Sequence, residues 1–230
     1  ARVVTPDGRS YLFIDTAGIR RKSRINEKIE RYSVIRAISS IERADIVLIL
    51  IDTTRELADQ DARIIQMAEE QGRAYAIIAN KWDLIEKDTN TTKEYTKDLR
   101  ERLPYISHAP VLFVSALTGQ RVQKLADVID GIHAQWARRI PTSEVNRFLM
   151  EMVERYPPPL LKRSKRLRFY FATQAAAKPP LFMFSTNYPD KVPTSYKRYL
   201  LNRIREQWKF SGTPVKLVFR KRGSSTESTR

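Results

Sequence analysis

The sequence predicts an α/β protein with a parallel sheet, followed by a small α+β domain. Over residues 1–141, apolar runs of strand length alternate with amphipathic stretches, which is typical of βαβ units. From residue 142 the order becomes helix, two strands, helix and strand. The charge shifts at the same point, because residues 1–141 carry 23 basic and 20 acidic side chains whereas residues 142–230 carry 19 and 6. We therefore predict domains at 1–141 and 142–222, and a small, polar, disordered tail at 223–230.

The first domain opens with a predicted hairpin and continues with three buried strands. Residues 1–15 are predicted to form two short strands around the turn Pro6-Asp7-Gly8. The run Ile46–Ile51 is apolar without interruption, which predicts a central parallel strand covered on both faces. Ala74–Ala79 and Val111–Val114 are two further predicted strands. Apolar residues at helical spacing predict helices near 29–41, 59–71, 93–103 and 122–140.

The second domain has its elements in a different order. Its predicted helix, two strands, helix and strand lie at 143–156, 167–174, 181–186, 194–209 and 215–220. The run Pro157-Pro158-Pro159 ends the first of these helices, since proline cannot continue a helical hydrogen-bond ladder. This order predicts one layer of helices against one sheet.

Three short motifs follow predicted strands of the first domain. They are Asp15-Thr16-Ala17-Gly18, Asn80-Lys81-Trp82-Asp83 and Ser115-Ala116-Leu117. Ligands on open parallel sheets bind at the carboxyl ends of the strands, where all three motifs are predicted to lie. Their order and spacing match the guanine-nucleotide-binding motifs of GTPases.

The residue types suit recognition of guanine. Asp83 would accept two hydrogen bonds, from N1–H and from the exocyclic amine, which adenine cannot offer; bonds to a charged group contribute roughly 1.5–3 kcal/mol each. Lys81 would lay its aliphatic stem along the base, and Asn80 would tie neighbouring loops together. Ser115 would fix its loop so that the amide of Ala116 meets guanine O6.

Asp15 and Gly18 are predicted to serve the phosphate end of the nucleotide. The aspartate would hold Mg²⁺ through water, and the glycine amide would meet the γ-phosphate, where a side chain would obstruct the approach. Ile19 stands where many GTPases place a glutamine that orients the attacking water, so no catalytic residue is assigned. No glycine opens a G-x-x-x-x-G-K-[ST] loop. We therefore expect a chain that is incomplete at its amino terminus, binds GTP poorly as written and is inactive alone.

Composition excludes several other classes of protein. The chain has no cysteine, which rules out disulfides and thiolate metal sites and fits a reducing cytoplasm. No apolar run approaches the 18 residues of a spanning helix, so no membrane partner is expected.

The basic second domain is predicted to bind nucleic acid. Neutralising phosphates with lysine and arginine releases counterions, so this binding should weaken steeply with salt. The candidate residues are Lys162, Arg163, Lys165, Arg166, Arg168, Lys197 and Arg198. A solvated basic face without a specific partner is the alternative. The tyrosines of this domain could stack on bases, but most are expected to pack the core or its rim.

Taken together, these residues resemble the EngA (Der) family of bacterial GTPases with two tandem G domains. The resemblance covers nearly the whole chain apart from the tail. It is carried by DTAGIRRKSRI at 15–25, NKWDL at 80–84, PTSYKRYL at 193–200 and GTPVKL at 212–217. It implies a P-loop-GTPase-type parallel sheet without its N-terminal part, followed by a KH-like domain.

The resemblance also implies an activity and partners. It implies that GTP is hydrolysed with Mg²⁺, and with K⁺ in the intact protein. It also implies a role in assembly of the large (50S) ribosomal subunit and contact with its rRNA. A first G domain would precede the chain in cis. The KH-like domain of this family lacks the G-x-x-G loop, as does this sequence, so shape recognition of RNA is expected rather than clamping of four nucleotides.

Two other functions remain open from the sequence. One is an RNA-binding module whose α/β domain has lost nucleotide function. The other is an Era-like GTPase with a KH domain, against which the missing G-x-x-G argues.

Overall fold

The computed structural model describes residues 1–14, 38–161 and 165–223, with the backbone only for Lys165. The chain divides into two units, Ala1–His133 and Ala134–Arg230. The division falls inside a helix, slightly before the change in composition at residue 141. The domain limits given above stay a prediction.

The sheet of the first unit has three described strands, all parallel. They are β3 (Ile46–Asp52), β4 (Ala74–Asn80) and β5 (Val111–Phe113), in the spatial order β3, β4, β5. The first six residues of β4 are buried, so β4 is the central strand. Leu50 of β3 is 47% exposed. The prediction that Ile46–Ile51 is central is wrong for the described sheet, because an apolar run reports hydrophobicity and not the number of neighbouring strands.

Three helices of this unit are described with their full bounds. They are α1 (Asp59–Gln71), α2 (Thr91–Arg102) and α3 (Lys124–Ala137), and residues 38–43 are also helical. The predicted helix at 59–71 is confirmed in both bounds. Gly72 ends it in the left-handed region, with φ 70°, and its amide donates to the last carbonyls of the helix. The predicted helix near 29–41 lies mostly outside the described residues.

A hairpin at the amino terminus is attached to α3. It consists of β1 (Arg2–Val4) and β2 (Ser10–Leu12), which pair antiparallel as predicted. The Arg9 guanidinium donates to Asp127 at 2.9 Å and to Asp130 at 2.8 Å on α3. The same guanidinium lowers the pKa of Asp130. An ion-pair network therefore holds the hairpin turn to this helix.

The second unit is a three-stranded sheet with two helices. Its strands are β8 (Phe169–Ala177), β9 (Pro180–Thr186) and β10 (Lys216–Lys221), in the spatial order β10, β9, β8. Strands β8 and β9 are antiparallel, and β9 and β10 are parallel. This agrees with the predicted α+β class. A small two-stranded hairpin, β6 with β7, precedes the sheet. The elements are α4 (Thr142–Arg155), β6 (Leu160–Leu161), β7 (Lys165–Arg166), β8 (Phe169–Ala177), β9 (Pro180–Thr186), α5 (Thr194–Trp208) and β10 (Lys216–Lys221).

Aromatic side chains fill the space between this sheet and the helices α4 and α5. Phe182 of β9 is fully buried and lies parallel to Trp208 of α5, with ring centroids 5.7 Å apart. Phe169 stacks on Tyr196 at 5.5 Å. Burying one such ring contributes roughly 1.5–3 kcal/mol. The core therefore joins the first turn of α5 to the start of β8.

No helix in the described ranges has both the length and the apolar character needed to cross a membrane.

Candidate functional site

The ends of β3 and β4 meet in register at the carboxyl edge of the first sheet. Asp52 pairs with Asn80, the last residue of β4. The carbonyl oxygen of Asn80 accepts hydrogen bonds from the Thr53 amide at 3.1 Å and from its hydroxyl at 2.8 Å. The motif Asn80–Leu84, called here the 80–84 loop, therefore starts from a strand end that is tied to the neighbouring strand.

Asn80 also connects two of the predicted motifs. Its Oδ1 accepts from the Ala116 amide at 2.9 Å. This bond joins the 80–84 loop to Ser115–Thr118, called here the 115–118 loop, as the sequence suggested. It also engages the Ala116 amide, which we expected to meet guanine O6. In this structure the Ala116 amide already donates to Asn80 Oδ1, so guanine O6 would have to share this N–H with Asn80 or replace Asn80 as its acceptor.

The 115–118 loop is fixed from within. Ser115 is fully buried, and its hydroxyl accepts from the Thr118 amide at 3.1 Å. The Ser115 amide donates to the carbonyl of Gln120 at 3.1 Å. Leu117 is 89% exposed. The loop thus turns a buried serine inward and presents Leu117 to the solvent at the edge of the sheet.

Trp82 anchors the 80–84 loop in the core. It is 2% exposed, and its ring centroid lies 4.3 Å from that of Phe113 and 5.8 Å from that of Tyr95. Its amide donates to the carbonyl of Val114 at 3.0 Å. Trp82–Leu84 forms one turn of 3₁₀-helix. Because the indole is buried, the residues on either side of it are held at the surface.

Asp83 and Lys81 are those neighbours, and their surroundings differ. Asp83 is half-buried, and its carboxylate has no hydrogen-bond partner among the described residues. Lys81 has a left-handed backbone, with φ 65°, and its Nζ lies 2.7 Å from Asp52 Oδ2. The Lys81 ammonium is the main cause that lowers the pKa of Asp52 to about 2. The Asp83 carboxylate, unpaired within the described part of the chain, can accept two N–H groups from a ligand, whereas the Lys81 ammonium already pairs with Asp52.

The residues predicted for the phosphate end lie outside the described ranges. These are Asp15, Thr16, Ala17, Gly18 and Ile19. Within 1–14, 38–161 and 165–223, no three or more histidine, aspartate or glutamate side chains form a group that could hold a metal ion. The predicted Mg²⁺ contact of Asp15 therefore stays a prediction.

Basic residues of the second unit gather at one end of its sheet. Thr186, the last residue of β9, pairs with Phe169 at the start of β8 and with Lys221 at the end of β10. Arg168 directly precedes Phe169, and Arg222 directly follows Lys221. The topology thus brings cations from distant parts of the sequence to this end.

Lys197 of α5 reaches the same end. It follows Tyr196, which stacks on Phe169, and its ammonium lies 5.4 Å from the ring centroid of Phe219 on β10. This surface, called here the basic end, includes six exposed residues: Arg166, Arg168, Lys197, Arg198, Lys221 and Arg222. Of the residues predicted from sequence, Lys162 and Arg163 lie outside the described ranges, and only the backbone of Lys165 is described.

Aromatic rings lie against two cations of the basic end, Lys197 and Arg222. The Arg222 guanidinium lies 4.9 Å from the Tyr170 ring centroid. Among the described residues, no carboxylate pairs with Arg168, Lys197 or Arg222. Tyr196 is buried, as we expected for most of these tyrosines. Arg168, Lys197 and Arg222 can therefore offer charge to a polyanion that no described carboxylate neutralises.

Sequence reasoning missed two pairs of residues. Lys221 and Arg222 were not among the candidates, although they are the last residue of a strand and the residue after it. Asp52 and Thr53 were missed too, although they also end an apolar run, as the three recognised motifs do. A search for every polar group at a strand end would have found both pairs.

Comparisons with known proteins identify the two halves of the chain separately. Residues 139–220 match the family described as the KH-domain-like C-terminal part of EngA bacterial GTPase enzymes. Residues 1–81 match the family described as 50S ribosome-binding GTPase.

Similar proteins cover nearly the whole chain. The protein named GTPase Der from Caldanaerobacter subterraneus subsp. tengcongensis is 48% identical over 95% of this chain and 50% of its own length. GTPase Der from Thermoanaerobacter pseudethanolicus is 47% identical over the same shares. The chain spans about half the length of these relatives.

Among solved structures, Era in complex with MgGDPNP and nucleotides 1506–1542 of 16S ribosomal RNA is 18% identical, with a TM-score of 0.49, over 96% of this chain and 78% of that one. A structural likeness this low carries no functional weight.

The two family matches and the sequence identity to the Der proteins confirm the resemblance found in the sequence: the chain belongs to the EngA (Der) family of GTPases.

Proposed function

We propose that the first unit binds guanine nucleotides and that the protein to which this chain corresponds hydrolyses GTP. The observation that supports this most directly is the half-buried carboxylate of Asp83, which has no hydrogen-bond partner among the described residues. It lies beside Lys81 and Asn80, in a loop that Trp82 anchors. Guanine offers N1–H and an exocyclic amine to such a carboxylate, and adenine does not. Relatives named GTPase Der and the GTPase family match support this assignment.

Mg²⁺ would be needed at the phosphate end. Asp15 is the proposed contact, through water, and the amide of Gly18 the proposed partner of the γ-phosphate. Mg²⁺ would neutralise charge on the phosphates of the bound nucleotide. K⁺ is proposed as a further ion of the intact protein, without an assigned ligand in this chain.

The second unit is proposed to bind ribosomal RNA through the basic end. Arg168, Lys197 and Arg222, which pair with no carboxylate among the described residues, suit phosphates, and the Arg222 guanidinium lies over the ring of the half-buried Tyr170. The family matched by residues 1–81, described as 50S ribosome-binding GTPase, supports a ribosomal partner, and we propose the large subunit and its assembly as the context. The cytoplasm is the compartment that this role requires. A further G domain in cis is proposed as a partner within the same polypeptide.

A titration with fluorescent GDP tests the nucleotide proposal. It should be done on this chain and on a version extended at the amino terminus with the corresponding sequence of a Der relative, with ADP and XDP as competitors. Tight, guanine-selective binding by the extended protein and weak binding by the chain are expected. If neither protein binds GDP, the nucleotide proposal fails. The alternative is then an RNA-binding module without nucleotide function, in which the Ala116 amide stays hydrogen-bonded to Asn80.

A further inference from the structure

We propose that Asp52 and Thr53 are positioning residues for guanine recognition, and that they act through Lys81 and Asn80. The proposal rests on the guanine site proposed above and adds two residues outside its three motifs. Both belong to the segment Asp52-Thr53-Thr54, which begins with the last residue of β3.

Thr53 fixes the point from which the 80–84 loop departs. Its amide and hydroxyl both donate to the carbonyl oxygen of Asn80, at 3.1 and 2.8 Å, so both lone pairs of that oxygen are used. Thr53 is only 7% exposed, so water competes little for these bonds. The next residue, Lys81, adopts φ 65°, which a residue with a side chain rarely does without support. The paired carbonyl supplies part of that support.

Hydrogen bonds from Thr54 fix the side chain of Asp52 independently of its ion pair with Lys81. Its Oδ1 accepts from the Thr54 amide at 3.1 Å and from the Thr54 hydroxyl at 2.7 Å. Its Oδ2 accepts from Lys81 Nζ at 2.7 Å. The Asp52 side chain is 19% exposed, whereas that of Lys81 is 46% exposed. The less mobile partner of the pair is therefore the carboxylate, and it confines a long, flexible side chain.

Confinement of Lys81 matters because a long, flexible lysine side chain loses conformational entropy when it is ordered. When Asp52 restricts the side chain in advance, the ligand does not bear that whole cost. Neither Asp52 nor Thr53 needs to touch the base. Their substitution should weaken nucleotide binding while the preference for guanine, carried by Asp83, stays.

Asp88 provides a matched control. Its Oδ1 accepts from the Asn90 amide at 2.8 Å, the Thr91 amide at 2.7 Å and the Thr91 hydroxyl at 2.7 Å, in the same kind of turn. Among the described residues, Asp88 makes no hydrogen bond to the 80–84 loop. Asp88→Asn therefore removes a comparable carboxylate of the same unit without affecting Lys81.

The test measures GDP affinity in the extended protein. We expect Asp52→Asn to weaken GDP binding about tenfold with unchanged selectivity over XDP, and Asp88→Asn to leave affinity within twofold. In a Lys81→Met background, Asp52→Asn should have little further effect, because residues that act through one contact are not additive. An undiminished effect in that background, or a change below twofold in the native one, would overturn the proposal.

Hydrogen exchange in the 230-residue chain gives a readout that needs no nucleotide. Asp52→Asn and Thr53→Val should each speed exchange of the amides at 80–84 about tenfold, with the amides of α1 unchanged. Slow, native-like exchange at 80–84 in both variants would refute the positioning role, whatever the outcome for nucleotide binding. Absence of nucleotide binding together with faster exchange would instead reject the guanine site and retain the coupling of the two loops.

Discussion

The strand ends of the two units carry charged residues in opposite ways. At the carboxyl edge of β3 and β4, Asp52 pairs with Lys81 and Asn80 bonds to the next loop, which leaves one carboxylate, Asp83, without a partner among the described residues. At the basic end of the second unit, Lys197 and Arg222 lie over aromatic rings, and several cations remain without carboxylate partners among the described residues.

The difference shows what each surface can select. Directional hydrogen bonds around one carboxylate, that of Asp83, suit a small, flat ligand with a defined donor pattern. Several cations without partners suit a polyanion whose phosphates repeat along a chain, where charge matters more than the exact position. Substitutions should therefore change selectivity in the first unit and salt dependence in the second.

The largest effect is expected from Asp83→Asn. Asparagine replaces one of the two carboxylate oxygens with an N–H₂ donor, so it cannot pair side by side with both guanine N–H groups. Two bonds to a charged group contribute together roughly 3–6 kcal/mol. The ratio of GDP to XDP affinity should fall by about 10²-fold or more, since xanthine offers a carbonyl to the new N–H₂ group. Competition titration in the extended protein measures this ratio. Glu86→Gln, at an exposed position nearby, should leave it unchanged; an unaltered ratio for Asp83→Asn would contradict the assignment of the base site.

Next in size is the loss of the core anchor in Trp82→Ala. The indole is 2% exposed against Phe113 and Tyr95, and removing a buried tryptophan costs about 3–5 kcal/mol. Hydrogen exchange under denaturant should show earlier unfolding of β4 and α1 and unchanged protection of α5 in the second unit. Leu84→Ala removes a 64% exposed side chain from the same turn and should cost little. Equal losses in both variants would mean that Trp82 is not the anchor.

A smaller effect is expected from reversing charges at the basic end. Arg168→Glu with Lys197→Glu should weaken binding to ribosomal RNA about tenfold or more at moderate salt. The slope of log affinity against log salt should become shallower by about one for each phosphate that is no longer neutralised. Filter binding over a salt series measures both quantities, and GDP affinity should not change. Arg147→Glu, an exposed reversal on α4, is the control; an identical loss there would indicate a nonspecific charge effect.

The smallest effect is a pH dependence at Asp52. Its pKa is lowered to about 2 in the folded protein, chiefly by Lys81, from an ordinary value of 3.8. A carboxyl whose pKa is lowered by folding stabilises the native state above its unfolded pKa, and this contribution disappears as the pH falls through the folded value. The difference in unfolding free energy between the native chain and Asp52→Asn should be constant above pH 5 and shrink from pH 4 towards pH 2. A difference that grows on acidification would contradict the ion pair.

Local patterns predicted much of the fold. The helix at 59–71 has the predicted bounds, because an amphipathic stretch ends there at a glycine. The class of both sheets was also predictable from element order. The position of β3 within its sheet was not, since an apolar run carries no information about its neighbours. The hairpin of β6 and β7 was missed because two-residue strands have no periodicity to detect.

The sequence by itself determined the chemistry of the candidate sites: the carboxylate of Asp83, the amide of Asn80 and the excess of cations after residue 141. These depend on residue type and order along the chain. Only the tertiary structure decided which groups meet. The register of β3 on β4 pairs Asp52 with Asn80 and brings the Asp52 side chain to Lys81. The pairing of β9 with both β8 and β10 places Arg168 at the same end of the second sheet as Lys221 and Arg222. Contacts between residues so distant in sequence follow from strand pairing, which no local pattern encodes.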